Sequence, residues 1–333
     1  MIIKSIKLTN FRNHHDYYLE CTENTSLILG ENGCGKTSVL EAIYILTRGR
    51  SFRATDGDIL KRGEKYYRIE IEYWSGEKNI ATYDGKNKTF IVLDKKTRRL
   101  PKRNKYPVIL FLPSDLNLIS HSPSRRREYF DKIFSQLDEN YNQYLLKYEK
   151  ALKQRNDLLK KEPSLNDLFS WNLLLSNYGT NLFKFRKKII QEINDKLTTT
   201  YRSIAKNEDK VKIDYTSEIE GLSESDYLKK LESNYERDCV LGHTGFGIHR
   251  DEYLFIFNDK LANGSASRGE TRSIILALKF IEAELIDQTL HLKPIILLDD
   301  VFSELDETRR KCLVENFKNN QVIITSVENV NEN

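Results

Sequence analysis

"SLILGENGCGKTSVLEAIYIL", residues 26–46, decides the fold. An apolar run closes at Leu29, a glycine-rich loop follows, and from Lys36 onward Val39, Leu40, Ile43 and Leu46 recur at helical spacing. Residues 30–38, "GENGCGKTS", fit the pattern G-x-x-x-x-G-K-[ST] at the place where it has physical meaning, between a strand and a helix start. The glycines let successive backbone N–H groups converge on phosphate oxygens, a lysine reaches the terminal phosphates, and a threonine hydroxyl can ligate Mg²⁺. Gly30, Glu31, Asn32, Gly33, Cys34, Gly35, Lys36, Thr37 and Ser38 are therefore the candidate nucleotide contacts, with Lys36 catalytic and Thr37 on the metal.

A phosphate loop of this kind needs an acidic partner, and "PIILLDDVFSELD", residues 294–306, supplies one. Alone it reads equally well as a buried strand running into a solvated acidic turn. Beside a phosphate loop, Asp299 becomes the Mg²⁺ ligand and Asp300 the carboxylate that polarises the attacking water. A second anion site is implied by "GSASRGETRSIILALKF", residues 264–280. There a small, polar run opens onto a helix whose first-turn N–H groups have no partner within the helix.

The 333 residues allow two ordinary domains or one large domain with an insertion. Charged residues make up 31%, yet Lys and Arg exceed Asp and Glu by only four, so local basic faces matter more than the total. No run is apolar over the roughly 18 residues that a bilayer span requires, and the first residues lack the apolar core of a signal peptide, which predicts a cytoplasmic chain with no membrane partner. Cys21, Cys34, Cys239 and Cys312 stand far apart, which argues against a cysteine metal site and a disulfide framework.

Two strands are predicted in the first 30 residues, and a β-rich stretch over 66–112. From Phe130 to Leu152 apolar residues repeat every three or four, predicting one helix of about 35 residues; a second stripe runs from Trp171 to Leu197 beyond Pro163. Two such helices pack most simply antiparallel, as a lobe inserted into an α/β body. The predicted division is 1–120 with 245–333 as the α/β lobe, which includes a helix over 267–287, and 121–244 as the helical lobe.

The stretch 264–280 resembles the signature motif of the ABC-type ATPases, with "SRGE" where transporters carry S-G-G-Q. Within that superfamily the chain is similar to the RecF family of bacterial recombination mediators, relatives of the SMC proteins. "LTNFRNH", "GENGCGKTSVLEAIY", "RGRSFR", "FLPSDLNLISHSPSRRREYFD", "GIHRDE", "SRGETRSIILALKFIEAE" and "LLDDVFSELD" follow one another in the family's order, nearly end to end. The resemblance implies an ABC-type P-loop ATPase head with an inserted helical lobe, and a homodimer closing over ATP. In it Ser267, Arg268, Gly269 and Glu270 would meet the γ-phosphate held by the opposite subunit, and Asp306 in the D-loop would contact that subunit. Arg12 would approach the phosphates, and Asp300, one methylene shorter than the transporter glutamate, implies slow turnover. Duplex or gapped DNA would lie across the dimer, and the biological work would be gap repair, assisting RecA loading with RecO and RecR.

Some positions depart from the transporter pattern. No switch histidine follows "QVII", so Thr325 and Ser326 are the candidates there, and no glutamine marks a Q-loop, where Asp115 is the nearest acid. For DNA the candidates are Arg50 and Arg53 in "RGRSFR", Lys95, Arg98 and Arg99 in "DKKTRRLPKRNK", and Arg125, Arg126 and Arg127 in "SRRRE"; "KFRKK" at 184–188 is a further basic run. Such clusters neutralise phosphates without reading sequence, although each by itself also describes an ordinary solvated face. His249, Arg250 and Asp251 match a family motif, and its His249 and Arg250 are candidate cationic contacts. Two rivals remain open at this level: the ATP-binding subunit of a membrane transporter, and a monomeric small-molecule kinase or GTPase, for which no N-K-x-D motif is present.

Overall fold

In the computed structural model, residues 1–161 and 163–327 are described. They form two compact units, one of residues 1–116 with 282–327 and the other of the described residues between 117 and 281. Residues 245–281 thus cluster with the helical unit rather than the α/β unit, which corrects the predicted boundary, and the division falls within the helix Arg268–Leu290.

Among the described residues the first unit holds ten strands. β1 (Ile3–Phe11), β2 (His14–Glu20), β3 (Thr25–Leu29), β4 (Tyr67–Tyr73), β5 (Lys78–Tyr83), β6 (Lys88–Val92), β7 (Lys95–Thr97) and β8 (Val108–Phe111) come before the second unit. That unit contributes β9 (Val211–Thr216), β10 (Glu252–Phe257) and β11 (Lys260–Leu261), after which β12 (Ile295–Asp299) and β13 (Val322–Ser326) complete the first. An antiparallel sheet runs β2-β1-β4-β5-β6-β7 and a parallel one β3-β13-β12-β8. Three strands occupy the first 30 residues where two are predicted, because the chain turns over 21–24 and carries β3 into the parallel sheet.

The helix Lys36–Arg48 packs against strands of both sheets. It is consequently buried on every side, not on one face as its periodicity predicts: Val39, Leu40, Ala42, Ile43, Ile45 and Leu46 are fully inaccessible, and so is Glu41. Parallel pairing aligns Asp299 with Thr325, and Ser326 with Leu29. The three strand ends that carry the phosphate loop, the hydroxyl pair and the acids are therefore neighbours, at the carboxyl edge where open α/β sheets bind ligands.

The second unit is helical with the small antiparallel sheet β11-β10-β9. The predicted 35-residue helix is two, Pro123–Leu137 and Glu139–Leu159. Asp138 breaks it by leaving helical geometry and accepting the N–H groups of Asn140 and Tyr141 at 2.6 and 3.0 Å, a strong N-cap. The second stripe is one helix, Leu165–Ala205, started by a capping box at Ser164 and Asp167.

Two buried arginines inside this unit are paired with acids. Arg155 donates to Asp238 at 2.7 Å, to Asn172 and to Thr244, with both charged side chains inaccessible. Removing either partner would strand the other charge, at a cost of about 3–5 kcal/mol. Arg186, within the basic run at 184–188, is likewise a core residue, bound to Asp131 and Asp251 at 2.9 and 2.7 Å.

Candidate functional site

The phosphate loop opens onto a cavity of about 510 Å³ lined by residues of the first unit alone. Gly35 caps the helix Lys36–Arg48 in left-handed geometry without a side-chain bond to the helix, and no acid stands in its first turn. The orphan N–H groups there are a ready anion site. Gly33, Gly35, Lys36, Thr37 and Ser38 line the cavity; Gly30, Glu31, Asn32 and the exposed Cys34 do not. Lys36 is buried, with its Nζ donating to the carbonyls of Gly30 and Glu31 at 2.7 and 3.1 Å and lying 3.9 Å from Asp300 Oδ2.

Thr37 donates its hydroxyl to Asp299, 2.8 and 3.0 Å from the two carboxylate oxygens. Thr325, a predicted phosphate sensor, is fully buried. Its hydroxyl donates to Asp299 Oδ1 at 2.9 Å and accepts the Asp300 N–H at 3.0 Å, so it holds the acid pair. Ser326 is buried as well, and its carbonyl accepts the Gly30 N–H at 3.3 Å. Asp300 takes a left-handed backbone, with φ of 51°, and its Oδ1 is buried with no hydrogen-bond partner among the described residues. Burial pushes the Asp300 carboxyl above the usual carboxylate range, Lys36 opposes the shift and Asp299 reinforces it.

The segment "NFRNH" contributes more than its arginine. Asn13 donates to the Gly33 carbonyl at 3.0 Å and His14 Nε2 lies 3.1 Å from the Gly35 carbonyl, clamping the loop from outside. A Cβ at Gly35, where φ is 105°, would run into both side chains, so only glycine fits beneath the clamp. Neither residue is singled out by sequence, although both flank Arg12 in a motif already quoted. Asp58 and Leu60 also line the cavity and carry no sequence signal.

Arg12 and Arg53 both line this cavity and both bind Glu41. Burial alone would raise the Glu41 carboxyl, but hydrogen bonds from Arg12, Arg53 and Ser51 outweigh it and hold the group below its ordinary range. Arg53, predicted for DNA, thus stands at the phosphate cavity.

Other candidates fall into place separately. Arg126 is buried, paired with Glu252 through two bonds of 2.9 Å, and Arg127 donates to the Asp251 carbonyl at 2.8 Å, so the middle and last arginines of "SRRRE" have internal partners. Arg125 is exposed, as are Arg50, Lys95, Arg98 and Arg99. Lys95 and its neighbours belong to β7, the edge strand, and the chain that follows it. Asp115 closes a turn by accepting the Leu112 N–H. Asp306 caps the helix Glu307–Phe317 through the Arg309 N–H.

In the second unit Ser267 and Glu270 form a reciprocal cap. The Ser267 N–H donates to Glu270 at 2.6 Å, and the Glu270 N–H donates back to the Ser267 hydroxyl at 3.3 Å; Arg268 and Gly269 begin the helix between them. His249 is no cation: burial lowers its pKa to about 4, and its ring bridges Tyr148 and the Thr244 carbonyl. Asp251 accepts from Arg186, Tyr215 and Ser217, whereas Arg250 is exposed.

The family described as AAA ATPase domain matches residues 1–330. The DNA replication and repair protein RecF of Clostridioides difficile is 34% identical, with 98% of this chain and 92% of that protein covered. RecF of Ruminiclostridium cellulolyticum is 33% identical over the same shares. The chain belongs to the RecF family. Among solved structures, that of the recombination mediator protein RecF-ATP in the RecFOR pathway superposes with a TM-score of 0.89 at 30% identity, covering 100% of this chain and 93% of that one. RecF membership sets the transporter reading aside and gives the two-sheet unit its class, the ABC-type ATPase head carrying a helical insert. No helix among the described residues is long and apolar enough to cross a membrane.

Proposed function

We propose that this RecF-family chain binds ATP with Mg²⁺ at the phosphate loop, closes as a homodimer on duplex or gapped DNA in the cytoplasm, and reopens after slow hydrolysis. The observation that carries the reading is the junction of loop and acids, where the Thr37 hydroxyl meets the Asp299 carboxylate and Lys36 lies beside Asp300. A relative of 30% identity was solved with ATP, which supports the choice of nucleotide.

The residues fit the ion. A hydroxyl and a buried carboxylate converge, and Mg²⁺ characteristically takes one or two such protein oxygens while keeping waters and phosphate oxygens as its other ligands. Thr37 and Asp299 would hold it, and the chemistry it supplies is neutralisation of phosphate charge. Lys36 and the orphan N–H groups bind the phosphates. The Asp300 carboxylate, which lines the cavity and is raised above its ordinary range by burial, is the group that would accept a proton from attacking water.

Ser267 with the helix start at Arg268, Gly269 and Glu270 would meet the nucleotide of the other copy, with Asp306 contacting that copy. DNA would be held by Arg50, Lys95, Arg98, Arg99 and Arg125, which are exposed, rather than by Arg126, which is buried, or by Arg53, which is exposed but bound to Glu41 at the cavity. The chain would cooperate with RecO and RecR in loading RecA, a reading supported by the RecF relative solved in the RecFOR pathway. Light scattering with saturating ATP and Mg²⁺ tests the reading: a dimer is expected, and a monomer throughout rejects the closing mechanism.

A further inference from the structure

We propose that Glu41 is the positioning residue of the nucleotide site, a buried carboxylate that aims two pocket arginines at the phosphates. The proposal rests on the nucleotide reading above. Glu41 lies on the phosphate-loop helix one turn beyond Thr37, and its side chain is inaccessible. Arg12 reaches it with two bonds, Nε to Oε2 at 2.9 Å and Nη2 to Oε1 at 2.7 Å. Arg53 adds two more, both to Oε2, at 3.1 and 2.9 Å, and the Ser51 hydroxyl donates to Oε1 at 2.6 Å.

One carboxylate therefore takes five donated bonds and neutralises one of two guanidinium charges. The arginine pair itself keeps about one positive charge, carried on guanidinium forks that line the cavity. Ser51 extends the arrangement to backbone by accepting the N–H groups of Arg53 and Ala54 at 3.0 and 3.1 Å. Arg12 is fixed from its other side by its Nη1 on the Asp58 carbonyl at 3.0 Å. A single helix thus presents the phosphate-binding amides at its start and, one turn on, the anchor for arginines from two other segments. Geometry of this kind matters because bidentate guanidinium recognition of phosphate depends on orientation as well as on charge.

Charge counting and positioning give opposite signs. Were charge alone decisive, Glu41→Gln would add one positive charge to the site and tighten ATP binding. Positioning says it weakens, because the amide accepts from only one arginine and turns its own donors toward the other. The test is a double-mutant cycle on the full chain, reading the dissociation constant of a fluorescent ATP analogue in EDTA, with circular dichroism as the fold control.

Glu41→Gln is expected to weaken binding about tenfold in a wild-type background and less than twofold in the Arg12→Ala/Arg53→Ala background. Unchanged or tighter binding, or a tenfold loss in both backgrounds, overturns the proposal. If Glu41→Gln does not fold, the cycle is run with Glu41→Asp, which keeps the charge, withdraws it by one methylene and must show the same non-additivity. Lys36→Ala separates the two claims. Should it bind the analogue as wild type does, the nucleotide reading has failed; should it abolish binding while the cycle is additive, only the role of Glu41 has.

Discussion

Thr325→Val removes one hydroxyl at constant shape and tests how the acid pair is held. In the wild-type chain the hydroxyl donates to Asp299 Oδ1 at 2.9 Å and accepts the Asp300 N–H at 3.0 Å, at a site with no solvent access. The first is a bond to an ionised acceptor, worth about 1.5–3 kcal/mol. The second is partly replaceable, since the same N–H lies 3.2 Å from the Thr325 carbonyl, so its loss adds roughly 0.5 kcal/mol. A total of about 2–3.5 kcal/mol follows, which is a fall of several degrees in melting temperature for a chain of this size. Function should suffer more than stability. Asp300 occupies a left-handed conformation that its surroundings must maintain, and loss of one support lets its carboxylate drift from the phosphate cavity. We expect ATP turnover to fall at least tenfold on the positioning scale, with ATP affinity within threefold of wild type, and Thr325→Ser to restore both properties. Thr325→Val melting and turning over like wild type would refute the bridging role.

Further outcomes follow from other parts of the structure. His249 has a pKa of about 4 when folded against an ordinary 6.5, so the unfolded chain binds the extra proton between those values; stability should fall by about 3 kcal/mol as pH drops from 6.5 toward 4, and His249→Gln should flatten that loss in urea titrations. Arg126→Ala should destabilise the chain by about 3 kcal/mol by leaving Glu252 unpaired, while the salt dependence of DNA binding stays at its wild-type slope. Lys95→Ala/Arg98→Ala/Arg99→Ala should reduce that slope by two to three units with melting unchanged, measured by fluorescence anisotropy between low and physiological salt. An unaltered slope would remove the β7 edge from the DNA surface.

What the sequence discloses depends on how local the cause is. The phosphate loop, the acid pair and the helix starts are visible because each is fixed by neighbours a few residues away, as when Asp138 and Ser164 cap their own helices. Glu41 is invisible as a site residue because its partners come from residues 12, 51 and 53, and a glutamate on a helix looks like surface until a second sheet covers it. The same reason hides the burial of Arg126 and Arg186 and the anchoring of the exposed Arg53 on Glu41. A basic run shows charge, but which acids hold it depends on distant strands and helices. Thr325 looks like a phosphate sensor by position, yet parallel pairing with Asp299 turns its hydroxyl onto the acids.

The dimer is tested most directly by mixing two inactive chains, Lys36→Arg and Ser267→Arg, and measuring ATP turnover in the presence of DNA. Each mutant spoils a different half of a site shared between copies, so the mixture can rebuild one intact site. Turnover recovering to a fraction of wild type in the mixture, and in neither mutant alone, is the result a shared site requires. No recovery, or a Ser267→Arg chain that hydrolyses ATP normally by itself, would contradict it.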